Sequence, residues 1–377
     1  MAVLPSNTRS SFQGSGGVPG ADAFYFPADT CRHACMWFAW PTNDHVLQKA
    51  VAALVGAAAA FEPITLLATP DGEKTARAAC GGAADIVVLP HQSLRLRDTG
   101  PTFLVDGKGG SAGVDWRFNA WGHRQQASDD TDVALAHALL GTAEVRRFRA
   151  PLTLESSSFV GDGYGTLLAL APAVFDTARN PQLTSLEAFG IFQDWLGVSR
   201  VIWLNSVHAA DSLHTDIRAL AAFAAPGLVA VTKVSSDHPL GARLSAVETE
   251  LVRARDAHGN HLEIVRLPAP QTGEGLRSYT NFVPLNGGLL LPTFDDAQDD
   301  AAAAILREAF PERVVQPIPA LDLAVAGLTL TSLALPQPAR LLERDRATVL
   351  PRSAWSQPTP DAEALLQHYA DLASGKS

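Results

Sequence analysis

Short apolar runs recur along the chain, separated by segments of helical period and by turns rich in Gly, Pro, Asn and Asp. An aromatic strand spans 32–41 and stops at Pro41. Asn43-Asp44 offers a cap to an Ala-rich helix over 45–61. Strands follow at 64–68 and 86–89, with a small helix over 73–80 between them. In the stretch 95–122, the charged pair Arg97-Asp98 precedes a Gly100-Pro101 turn. An apolar strand, a Gly-rich hairpin at 106–110 and a return strand carrying Trp116 and Trp121 come after it.

The pattern then predicts a helix over 131–140, a strand at 152–158 running into Ser156-Ser157-Ser158, and a return at 166–169. A helix over 185–196 ends at Gly197, and a buried strand covers 201–204. A polar loop holds His208, Asp211, His214 and Asp216, followed by a helix over 217–223 and a strand over 228–234. Next come a helix over 244–255, a strand over 262–267 and a hairpin over 281–294 turning at Asn286-Gly287-Gly288. A helix over 301–310 and a strand over 314–318 close the series. A doubly wound sheet would show longer helices and fewer hairpins. The rhythm fits an α/β array of ββαβ units better.

Composition narrows the function. A length of 377 residues with 47% hydrophobic content buries one large core or two ordinary ones. A net charge of -10 argues against nucleic acid and anionic membrane surfaces. It mildly favours a cationic small ligand. The three cysteines, Cys31, Cys35 and Cys80, lack the Cys/His clustering of a zinc site, so no metal and no cofactor is expected. Residues 1–22 read as a flexible leader rather than a signal peptide, and no apolar run is long enough to span a bilayer. A cytoplasmic location is the expectation.

The stretch 95–122, with Arg97-Asp98-Thr99-Gly100-Pro101, resembles the agmatine deiminase and bacterial peptidyl-arginine deiminase family of the pentein superfamily. Ser278-Tyr279-Thr280-Asn281-Phe282, Asn286-Gly287-Gly288 and Leu291-Pro292-Thr293-Phe294 carry the same resemblance, which extends from about Phe26 to Pro338. It implies a five-bladed α/β propeller around a central pocket. The pentein domain then covers 23–340, and a C-terminal extension 341–377 starts a helix at Thr359-Pro360-Asp361. It also implies the roles of single residues. Asp98 and Glu155 match the carboxylates, and His214 with Asp216 matches the His-x-Asp proton-transfer pair. Family members attack the guanidine carbon with a Cys; Ser332 stands at the matching place, in an altered loop.

Two further departures bear on the pocket. The family's Glu-Gly-Gly-Ser loop reads Glu155-Ser156-Ser157-Ser158 here, and Arg95 stands where the family often has Trp. Arg95 either points to solvent or sets a guanidinium beside the substrate, where it repels a cation and attracts a carboxylate or phosphate. Arg95, Arg97, Trp116, Asn119 and Ser332 are the expected substrate contacts. A serine hydroxyl lacks the thiol's ionised fraction. The reading is therefore a repurposed, biosynthetic or degradative enzyme working on a small molecule by non-covalent acid–base chemistry: elimination, isomerisation, cyclisation or hydrolysis. An ordinary agmatine or arginine deiminase is the first alternative, and a non-catalytic binding protein the second. A homodimer is the expected assembly.

Overall fold

A computed structural model describes residues 17–124, 130–206, 216–271 and 277–340. The expected His214 and the helix at Thr359 lie outside the described residues. Among the described residues, sixteen strands form five small sheets. Strands β1 (His33–Ala39), β2 (Ile64–Ala68) and β3 (Asp85–Val88) belong to the first sheet. Strands β4 (Thr102–Val105), β5 (Ser111–Arg117) and β6 (Arg146–Thr153) make the second, and β7 (Phe159–Gly161), β8 (Thr166–Leu170) and β9 (Arg200–Leu204) the third. The fourth holds β10 (Ala221–Ala225), β11 (Leu228–Lys233) and β12 (Glu263–Pro268). The fifth holds β13 (Val283–Leu285), β14 (Gly288–Thr293) and β15 (Val314–Pro319). The last strand, β16 (Leu335–Pro338), returns to the first sheet.

Each sheet follows one plan: an antiparallel pair, then a helical crossover to a parallel third strand. In the first sheet the antiparallel partner of β1 is β16, so the chain's late strand closes the ring against its first. The sequence reading ended the series at 314–318 and overlooked β16. Pro336 and Pro338 disguise that strand, yet proline is tolerated in an edge strand, which needs its amides on one side only.

The crossover helices bury one face between sheets. Helix Ser185–Leu196 begins in a Thr184/Glu187 capping box, ends at Gly197, and packs Phe192, Trp195 and Leu196 inward. Gly197 is required: its φ is +64°, and an added Cβ would stand 2.8 Å from the Tyr25 side chain. Apolar clusters fill the seams, for example Met36, Phe38 and Leu66 against Val283, Leu285 and Leu290. Among the described residues no helix is long and apolar enough to cross a membrane.

Two expectations need correction. The segment 217–223 is not one helix: a 3-10 turn at Ile217–Ala219 leads into β10. Ala-rich composition mimics helix, but Ala221 and Ala222 pair with β11. The end of the supposed leader is also ordered. Pro19–Asp22 forms a 3-10 turn, and an added Cβ at Gly20 would lie 3.0 Å from the Asp194 carbonyl oxygen.

Candidate active site

The site starts from the single helical turn Leu96–Thr99. The Arg95 carbonyl accepts from the amides of Asp98 and Thr99, and Gly100 ends the turn. No side chain fits at Gly100: a Cβ would sit 2.5 Å from the Leu96 oxygen and 2.7 Å from Leu335. Consecutive residues on such a turn point about 100° apart. Arg97 and Asp98 therefore face different surroundings.

Asp98 is buried, and its Oδ2 accepts from Trp121 Nε1 at 3.0 Å. Arg95 Nη1 stands 3.9 Å from the same oxygen, and the Arg95 guanidinium carbon lies 5.9 Å from the Trp121 ring centroid. The guanidinium also donates to the Gly327 carbonyl. Arg95 thus faces the buried carboxyl and not only solvent. Burial pushes the Asp98 carboxyl above the usual range, with Arg95 opposing and Asp216 adding to the rise.

Trp121 reaches Asp98 from a strained turn. Ala120, Trp121, Gly122 and His123 all have left-handed φ, from +54° to +73°. Such backbone costs about 1–2 kcal/mol per non-glycine residue. Local bonds hold it: the Asn119 side chain accepts from the Gly122 amide at 2.9 Å, and Arg124 Nη1 donates to the Trp121 carbonyl at 3.0 Å. Asn119, an expected substrate contact, is therefore a turn cap, and its amide also donates to the Ala178 carbonyl.

Glu155 is equally buried. Arg179 Nε donates to both of its oxygens, at 3.1 and 3.0 Å, while Arg179 Nη1 bonds Asp176 at 3.0 Å. Burial raises the Glu155 carboxyl to about 7 against the pull of Arg179, and the Asp98 charge pushes the same way. Asp216 accepts from its own chain's Arg218 amide, from the Thr329 hydroxyl at 2.9 Å and from the Thr331 hydroxyl at 3.3 Å. The Asp216 charge bears on Asp98, and the Asp98 charge bears on Glu155.

Three other expected contacts have partners within the chain. Arg97 Nη1 bonds Asp29 Oδ1 at 3.0 Å and its Nε the Thr331 carbonyl, so it braces the interior. Trp116 donates to Thr102 and packs among Phe159 and Phe192 in a seam. The Ser332 hydroxyl donates to the Thr329 carbonyl at 2.8 Å and accepts from the Thr329 amide at 3.0 Å, closing a capping box.

The bracing of Arg97 extends further. Arg218 Nε donates to Asp29 Oδ2 at 2.9 Å, so one carboxylate joins two buried guanidiniums. Burial alone would raise the Asp29 carboxyl; Arg218 and Arg97 overcome it and hold it far below the ordinary range. A cleft adjoins this cluster, lined by Asp29, Cys31, His33, Arg97, Thr102 and Ser156; Asp98, Glu155 and Asp216 do not line it. Asp29, Trp121, Arg179 and Arg218 escaped the sequence reading. Trp121 stood inside the singled-out stretch, but nothing local distinguishes it from Trp116. Asp29 and Arg218 meet across 189 positions.

The three cysteines contact other groups. Cys80 is buried in a seam, and burial raises its thiol. Cys35 contacts Gln337 Oε1 at 3.4 Å, and burial pushes it up to about 11. The Cys31 sulfur contacts the Arg32 carbonyl at 3.6 Å.

With that geometry in place, the chain was compared with known proteins. Residues 25–338 match the model of the Porphyromonas-type peptidyl-arginine deiminase. The agmatine deiminase of Stutzerimonas stutzeri is 33% identical over 359 residues, covering 85% of this chain and 97% of that protein. The agmatine deiminase of Pseudomonas aeruginosa strain UCBPP-PA14 is 31% identical over 358 residues, with the same coverage of 85% and 97%. Among solved structures, the agmatine deiminase of Enterococcus faecalis superposes with a TM-score of 0.81 at 23% identity, covering 87% of this chain and 99% of that one. At that identity the superposition speaks for the fold, and it agrees with a propeller of five small mixed sheets.

Proposed function

Because the chain belongs to the Porphyromonas-type peptidyl-arginine deiminase family, we propose that it is a small-molecule enzyme of the agmatine-deiminase type whose chemistry proceeds by proton transfer without a thiolate adduct. The observation that carries this reading is Ser332. In the family resemblance it stands at the place of the nucleophile, and its hydroxyl is engaged on both sides by the Thr329 backbone. A hydroxyl so held has neither a base nor a free approach to a substrate carbon. None of the three cysteines bonds Asp98, Glu155 or Asp216.

What remains suits acid–base work. A carboxyl raised toward neutrality by burial can both give and take a proton near pH 7. Glu155 fits that description, and Asp98 is shifted the same way. In this reading His214 and Asp216 form the proton-transfer pair, and Asp98 and Glu155 address the ligand. Elimination, isomerisation, cyclisation and direct hydrolysis all need only such groups.

A second reading is favoured by the relatives themselves. The curated relatives at 31 and 33% identity are named agmatine deiminases, and their names lend no support to a divergent activity. Under that reading the chain hydrolyses a guanidine C–N bond in agmatine or arginine. Incubating the purified protein with each compound and measuring ammonia and ureido product separates the two. Sustained turnover supports the second reading and removes the first. Absence of turnover, with loss of activity on a later-identified substrate in Asp98→Asn, supports the first.

A further inference from the structure

We propose that Arg95 is the specificity-determining residue of this site: its guanidinium seats itself on the Asp98–Trp121 pair and turns a cation site into one for ligands that present a carboxylate. The inference rests on the reading that Asp98 faces the ligand, and it adds the ligand's chemical class.

The geometry is that of a bound guanidinium supplied by the chain itself. Arg95 Nη1 lies 3.9 Å from Asp98 Oδ2, an oxygen fixed by Trp121 Nε1 at 3.0 Å. The Trp121 ring lies 5.9 Å from the guanidinium carbon, within cation–π range. The Gly327 carbonyl takes an N–H from the other terminal nitrogen. Carboxylate, aromatic face and carbonyl are what a free guanidinium compound would need, and Arg95 holds all three. A second cation here would meet a like charge at a carboxylate already in use.

The donors left over point to the opposite ligand. A guanidinium carries five N–H donors, and the hydrogen bond to Gly327 uses one. The Arg95 side chain is 22% exposed while that of Asp98 is 0%, so Arg95 stands between the buried carboxyl and the open side. The N–H groups that Arg95 has left form a planar fork, which matches an acceptor with two oxygens.

The test uses isothermal titration calorimetry on the full chain with three probes. Methylguanidine is a bare cation, 4-ureidobutyrate carries a carboxylate, and 4-ureidobutanamide is its neutral counterpart. The native protein should bind 4-ureidobutyrate at least about tenfold more tightly than the amide, and methylguanidine not measurably. Arg95→Ala and Arg95→Met should lose the carboxylate preference and gain methylguanidine binding, while Arg95→Lys should still exclude the cation. The Met variant keeps much of the side-chain stem, so the test survives misfolding of the Ala variant. Methylguanidine binding to the native protein as tight as to Arg95→Met, or no preference for the carboxylate probe, overturns the proposal. Turnover of agmatine by the same preparation removes the acid–base reading whatever the titrations give. Methylguanidine binding without turnover removes only the role assigned to Arg95.

Discussion

Replacing Asp29 by Asn should be among the most damaging single changes in this chain. Asp29 is the shared partner of Arg97 and Arg218, at 3.0 and 2.8 Å, and the two arginine side chains are only 5% and 2% exposed. It joins the segment before β1 to the turn before β4 and to the 3-10 turn before β10, so three distant parts of the chain meet on one carboxylate. Asn keeps the shape and one acceptor, but it leaves two interior guanidiniums without their counter-charge. Removing one partner of a buried ion pair costs about 3–5 kcal/mol. Urea unfolding at pH 7 should show a loss in that range, with little change in slope.

The dependence on pH follows from the sign of the shift. The folded-state carboxyl of Asp29 is depressed below its ordinary value of 3.8. Its contribution is therefore present above pH 3.8 and is lost as pH falls toward the depressed value. The gap between native protein and Asp29→Asn should be constant from pH 7 to about 5 and narrow in stronger acid. A loss under about 1 kcal/mol at pH 7, or a gap that widens in acid, would refute the assignment of Asp29 as the shared counter-ion.

Other outcomes are expected. His33 has Glu62 on Nδ1 at 3.0 Å and the Asp29 carbonyl on Nε2 at 3.0 Å, so both ring nitrogens must donate and the ring is charged. Burial opposes that charge, but bonds to Cys31 and Glu62 outweigh it and raise the group to about 10. Its stabilisation is full below pH 6.5 and lost as pH rises through 10; His33→Gln should flatten that alkaline limb in thermal unfolding. Ser332→Cys should remain inactive on agmatine, because the Thr329 backbone turns the side chain inward; iodoacetamide labelling followed by mass spectrometry should show position 332 unmodified in the folded protein. Gly197→Ala should cost roughly 1–3 kcal/mol, since it combines a left-handed φ with a 2.8 Å clash against Tyr25.

Much of the architecture was legible because the punctuation is strong. Gly197, Asn286-Gly287 and Asp44 mark ends and turns by local chemistry, and the helices over 45–58 and 185–196 fall where their caps predict. Where local composition and tertiary context disagreed, context won. Ala221–Ala225 is a strand because it pairs with β11, and proline-bearing Leu335–Pro338 is a strand because the ring needs closing. At the site, Asp98 was legible from its turn, and Arg95 from its departure from the family's residue there. The partners of Arg97 were not, since Asp29 precedes it by 68 positions. Trp116 and Trp121 also look alike in sequence. Only the left-handed turn at 120–123 sends one to the carboxyl and leaves the other in a seam.

The proposed chemistry uses no thiolate. Full-length protein is incubated with saturating agmatine at pH 7, ammonia is followed, and the quenched protein is weighed by intact-mass spectrometry. The account predicts no ammonia above the blank and no mass added to the chain. Steady ammonia release, or an adduct mapping to Cys31, Cys35 or Cys80, contradicts it.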